Sequence, residues 1–150
     1  MDDGREGRRV LEDVEVPVKL KLSAGWAALM LLYAYGDIFG YFRPGFIEDV
    51  MAGKVFAFEI DQVFLVAISV YVALPALMVV LSLMLAPALN RWTNIVLGSV
   101  YALTILLSAI GDDYVYYYVL SVLEIAVALL IVWSAWTWPE RPPTGSGAGR

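Results

Sequence analysis

Neither cysteine nor histidine occurs in the 150 residues. Their absence excludes disulfides, thiol redox chemistry, His/Cys zinc centres, histidine-ligated haem and any Ser-His-Asp or Cys-His nucleophilic device. Charge is scarce as well: Asp, Glu, Lys and Arg make up 17% of the chain, while hydrophobic residues reach 61%. Soluble domains are roughly 45–50% apolar, and one of this size has no way to cover so much apolar surface. A bilayer solves the problem by making lipid the solvent for the outer face. The few basic residues form no stripe that could track a phosphate backbone, so no nucleic-acid partner is expected.

What the chain does have is four long apolar runs. Leu22–Tyr41, Phe64–Leu85, Trp92–Ile110 and Val115–Trp136 each approach or reach twenty residues, and twenty residues at ~1.5 Å each cross the ~30 Å core of a bilayer. Each run ends in helix-stopping residues: Arg43-Pro44-Gly45, Ala86-Pro87, Gly111-Asp112-Asp113 and Pro139-Glu140-Arg141. Short links after the second and third runs force antiparallel neighbours. The fold expected is therefore all-α, an integral membrane four-helix up-down bundle spanning residues 17–139. Residues 1–16 are expected to be a mobile cytoplasmic tail, and 140–150, rich in Gly and Ser, a disordered one. Between Val14 and Leu22 apolar and polar residues alternate, which predicts an extended or amphipathic approach to the membrane. In the longer first connection, Pro44 can start a helix and Gly53 stop it, with Phe46, Ile47, Val50 and Met51 on one side. That pattern predicts a short amphipathic helix at the outer interface.

Lysine and arginine set the expected orientation. The two tails and the second connection hold Arg5, Arg8, Arg9, Lys19, Lys21, Arg91, Arg141 and Arg150, against Arg43 and Lys54 on the other side. This bias places both termini in the cytoplasm of a multi-pass cell-membrane protein. Trp133, Trp136 and Trp138 mark the inner end of the last helix, and Tyr114, Tyr116, Tyr117 and Tyr118 its outer end.

Two acids lie within the runs. Glu124 sits near the middle of the fourth. The eleven Leu, Ile and Val residues of Val115–Trp136 contribute about −3 to −7 kcal/mol to insertion, against about +3 for a central acid; the helix still inserts. No Lys or Arg lies in any run to pair with Glu124, so it is expected to face the bundle, protonated much of the time. It is either a helix-stapling hydrogen bond or an acid that binds a ligand headgroup or carries a proton. Depth matching nominates Tyr33, Ser69, Tyr71, Tyr101 and Thr104 as its partners. Asp37 lies near the outer end of the first helix, one turn after Tyr33, with Arg43 a candidate ion-pair partner and Gly36/Gly40 a small-residue step for a neighbouring helix. The ligand-binding or proton-coupling candidates are thus Glu124, Asp37, Tyr33, Tyr71 and Tyr101. Pro75 falls inside the second helix, where a neighbour must satisfy the carbonyl it frees. Asn90 reads as a cap for the third helix, Arg91 as an anionic-lipid contact, and Asp112-Asp113 as a tight turn. No catalytic residue, cofactor or metal site is expected.

Lys19-Leu20-Lys21-Leu22-Ser23-Ala24 leading into Trp26-Ala27-Ala28-Leu29-Met30, then Tyr35-Gly36-Asp37, Phe42-Arg43-Pro44-Gly45, Asn90-Arg91-Trp92 and a fourth helix that contains Glu and ends in Trp-Pro resemble the DUF6326 family of small prokaryotic four-helix membrane proteins. The resemblance implies the same architecture and carries no activity, so no site transfers from it. A more distant, purely topological likeness to DoxX-type proteins implies nothing about function. The leading expectation is a non-enzymatic bundle that binds a lipid, a small apolar ligand or a partner membrane protein, with a homo-oligomer open. The alternative is a small oligomeric proton- or ion-coupled transporter using Glu124. It resembles the small multidrug exporters in size, but those carry their acid in the first helix. A membrane enzyme acting on lipid or quinone comes third.

Overall fold

The computed structural model describes residues 14–56 and 58–140, so most of the two expected tails lies outside the described residues. Four long helices carry the apolar runs: α1 (Val18–Gly40), α3 (Gln62–Met84), α4 (Pro87–Ala109) and α5 (Val115–Trp136), with a six-residue helix α2 (Phe46–Met51) between α1 and α3. At 22–23 residues each, the long helices are roughly 33 Å in length, enough to cross a bilayer. All four expose large apolar side chains, among them Leu31, Val63, Leu103 and Leu130. This is a multi-pass membrane protein with lipid as the solvent for its outer face.

The helices start earlier than the apolar runs at one end of the bundle. α1 begins directly after Pro17, so Lys19 and Lys21 lie inside it and the expected extended approach shrinks to Val14–Pro17. α4 begins at Pro87, whose missing N–H costs nothing at a first helical position, and this leaves only Leu85 and Ala86 between α3 and α4. Asn90 and Arg91 consequently lie in the first turns of α4, and Asn90 is not its cap. At the other end, Asp61 caps α3 by accepting from the Phe64 N–H at 2.7 Å. Gly111, at φ +87°, makes the turn into α5.

α5 packs on both α1 and α4, and α1 packs on α3. The backbones of α3 and α4 stay apart despite their two-residue link. Met78 and Tyr101 fill the space, joining a core of Leu22, Trp26, Leu29, Ile105, Ile131 and Ala135. Two glycines let α5 seat so closely. A Cβ at Gly25 would lie 2.7 Å from Ile131 Cγ1, and one at Gly98 2.8 Å from Val132 Cγ2. The small-residue step expected at Gly36/Gly40 is only half such a contact: Gly36 faces Leu120 and Glu124 of α5, whereas Gly40 faces the Phe46 ring.

Between α2 and α3 the chain forms a minimal antiparallel hairpin, β1 (Lys54–Val55) and β2 (Phe58–Glu59), paired Lys54 to Glu59 and Val55 to Phe58. Phe56 turns it at φ +50°. The opposite, tail end of the bundle is closed by cations on helix C-termini. Lys19 donates to the Leu85 and Leu83 carbonyls at 2.7 and 3.2 Å, and Arg91 donates to the Trp136 carbonyl at 3.2 Å and to Glu140 at 3.0 Å. Free carbonyls at a helix end carry partial negative charge, so these contacts satisfy both hydrogen bonding and the helix dipole.

Candidate functional site

Pro75 explains the arrangement of the tyrosines. Proline has no N–H, so the carbonyl four residues before it, Tyr71, loses its helical partner. The Tyr101 hydroxyl of α4 donates to that carbonyl. The Tyr71 hydroxyl reaches the Thr104 hydroxyl at 2.8 Å and the Tyr33 hydroxyl at 3.2 Å, and the Tyr71 and Tyr101 rings lie 4.8 Å apart. The three candidate tyrosines therefore form one cluster that ties α1, α3 and α4 together. Tyr101→Phe is expected to cost about 1 kcal/mol of stability. Pro75→Ala restores a backbone donor for the Tyr71 carbonyl, so Tyr101→Phe should cost less in that background. A double-mutant cycle of unfolding in mixed micelles reads the coupling.

Glu124 is not part of that hydrogen-bonded cluster. It lies nine residues past Val115, about 14 Å along α5, and is 8% exposed. Its Oε1 points at Gly36, where a Cβ would sit 3.9 Å away. None of the partners nominated by depth, Tyr33, Ser69, Tyr71, Tyr101 or Thr104, hydrogen-bonds to it: the tyrosines and Thr104 bond to one another, and Ser69 donates to Leu65 on its own helix. Depth fixes height in the membrane but not the direction around a helix axis. Asp37 is exposed and has no ion-pair partner among the described residues.

Of the buried polar side chains, Ser23, Ser82, Asn90 and Asn94 are all hydrogen-bonded. Glu124 and Ser121, one turn before it, have no hydrogen-bond partner among the described residues. Their oxygens are not sealed away either: the described side-chain atoms that are both fully enclosed and unpartnered are Arg43 Nε and Arg91 Nε. Toward the tail end the same α5 stripe continues as Ala128, Ile131 and Ala135, closed by Leu22, Trp26 and Leu29. Toward the α2 end it meets Tyr117, which donates to Ser108 at 3.1 Å.

Arg43 pairs with Asp112, not with Asp37. One of its nitrogens contacts both carboxylate oxygens, Oδ2 at 2.6 Å. The guanidinium lies 4.1, 5.3 and 5.5 Å from the ring centroids of Tyr114, Tyr116 and Tyr117, so these tyrosines box a cation as well as marking a helix end. Burial alone would raise the Asp112 carboxyl, but Arg43 and the Tyr114 N–H hold it below the usual carboxylate range.

Sequence reasoning missed a further network near the tail end. Asn94 accepts from Trp26 Nε1 at 2.6 Å and from Ser82 at 3.3 Å, and donates to the Asn90 side chain at 2.6 Å. Asn90 in turn donates to the Ser82 carbonyl at 2.6 Å. Two asparagines four residues apart in an apolar helix were the available signal, because each needs a buried partner. The network is fully satisfied and offers nothing to a ligand. Among the described residues no group of three or more acids could hold a metal ion. In comparisons with known proteins, the model of a family of unknown function, DUF6326, matches residues 11–143. No curated protein and no solved structure matches the chain.

Proposed function

The chain belongs to the DUF6326 family of unknown function, and from that premise we propose that it is a non-enzymatic membrane protein whose Glu124 binds the polar end of a lipid or small apolar ligand. One observation carries the reading: a carboxylic acid lies deep between α1 and α5, 92% buried and without a hydrogen-bond partner among the described residues, while the hydroxyls of Tyr33, Tyr71 and Thr104 bond to one another. A polar group buried without partner costs about 1–3 kcal/mol, more if charged, and an acid retained at that cost in a membrane is a functional group by default. Both termini belong in the cytoplasm, because the cation-rich ends of the helices are the tail ends; the α2 end with Arg43 and Lys54 then faces outward. Native mass spectrometry of the purified protein tests the site. The wild type is expected to retain a ligand that Glu124→Gln loses while still folding; equal retention in both would end the reading.

A proton- or ion-coupled transporter is the second reading. It is favoured by the one-sidedness of the acid, with polar groups between Glu124 and the α2 end and a packed apolar layer on its other side. Its signature would be proton-dependent flux in proteoliposomes that Glu124→Gln abolishes.

A further inference from the structure

We propose that the tail end of the bundle holds a separate ligand site for an aminophospholipid, a lipid whose headgroup carries an ammonium beside its phosphate. It is independent of the reading of Glu124, which lies ten residues before Ser134, about 15 Å along α5. A cavity of about 520 Å³ opens there between the start of α1 and the end of α5, within the ~300–1,000 Å³ range of small-molecule sites. Glu15, Lys21, Ser134 and Thr137 supply its charged and hydroxyl side chains. Glu15 and Lys21 are exposed, and among the described residues neither makes an ion pair, with the other or elsewhere. Two opposite charges that share a cavity without meeting leave room for a zwitterion. The other described cations of this end are engaged: Lys19 on the Leu83 and Leu85 carbonyls, Arg91 on Trp136 and Glu140. The helix ends add partial charges of both signs. Val18, in the first turn of α1, lines the cavity; that turn has no side-chain cap and no acid, so with Lys21 one turn on it favours the phosphate. Ser134 and Thr137 line it from the end of α5, whose last turn carries no basic residue. The free carbonyls of that end and the Glu15 carboxylate favour the ammonium. A purely anionic head would meet Glu15 without any group to answer it.

The lipid face continues the site. Trp133 is shared between the cavity and an apolar groove lined by Leu129, Leu130 and Trp136. From Trp133 the groove reaches Ala126, about 10 Å along α5 toward the middle of the span, where an acyl chain leaving the headgroup would lie. Both tryptophans are exposed, and an indole where polar surface meets apolar marks headgroup depth.

Native mass spectrometry of the full chain, delipidated in neutral detergent and titrated with dioleoyl phosphatidylethanolamine or dioleoyl phosphatidylglycerol, tests the site. The wild type is expected to bind phosphatidylethanolamine several-fold more tightly. Lys21→Gln should weaken that binding about tenfold, the loss of one charge-assisted contact. Glu15→Gln should remove the preference, weakening phosphatidylethanolamine and admitting phosphatidylglycerol. Both positions are exposed, so the fold survives either change. Equal binding of the two lipids by the wild type, or binding that either substitution leaves unchanged, would overturn the proposal. So would a preference that is lost in Glu124→Gln and kept in Lys21→Gln, which would place the lipid at the other acid.

Discussion

Asn94→Ala is expected to lower the unfolding free energy by about 2–4 kcal/mol. Asn94 is fully buried and joins three helices: it accepts from Trp26 of α1 and Ser82 of α3 and donates to the carbonyl and side chain of Asn90 within α4. Alanine leaves the indole N–H and the Asn90 oxygen facing apolar neighbours. Each orphan costs about 1–3 kcal/mol, although single hydrogen bonds between membrane helices average only about 0.6 in double-mutant cycles. The larger figure is the better guide because one substitution strands several groups in a packed layer. Ser69→Ala is the control. Its hydroxyl bonds only to Leu65 on its own helix at an exposed position, so a change within about 0.5 kcal/mol is expected. Tryptophan fluorescence during denaturing-detergent titration reads both; an Asn94 loss no larger than that of Ser69 would show that the network does not hold the helices together.

The spans were legible because length, apolarity and stop residues agree, and α2 because Pro44 and Gly53 bracket an apolar stripe. What misled was chemistry that serves two purposes. Lys19, Lys21, Asn90 and Arg91 read as residues flanking a helix. They lie within helices because long cationic side chains reach out to helix ends, as Lys19 and Arg91 do, and because Asn90 has a buried carbonyl to bond. The hairpin was invisible, since two residues per strand give no period to read. Glu124 could be recognised as buried and unpaired from the lack of a cation nearby, but its neighbours could not be named. They depend on which stripe of α5 faces α1, and Gly25 and Gly98 set that seating through contacts with Ile131 and Val132. Arg43 and Asp112 are 69 positions apart, and no local rule pairs them.

That pair carries the other large effect. Arg43→Met is expected to cost about 3 kcal/mol, because it leaves the Asp112 carboxylate, whose side chain is 8% exposed, without its counter-charge and empties the tyrosine box. Asp112→Asn should cost somewhat less, since the guanidinium keeps its aromatic neighbours. The double variant should be more stable than Arg43→Met alone, because removing both charges strands neither. Arg43→Lys should fall between wild type and Arg43→Met: the charge survives, but the planar group that covers the Tyr114 ring does not. The pair also predicts a pH dependence of definite sign. The Asp112 carboxyl is lowered in the folded protein from its ordinary 3.8, so the unfolded chain takes up its proton first as pH falls. Stability from the pair is then complete above about pH 4.5 and is lost as pH drops through the lower folded value. The gap in stability between wild type and Asp112→Asn should therefore be constant from neutral pH to about 4.5 and close below it. A gap that instead opens on acidification would mean that Arg43 does not hold Asp112 in its charged form.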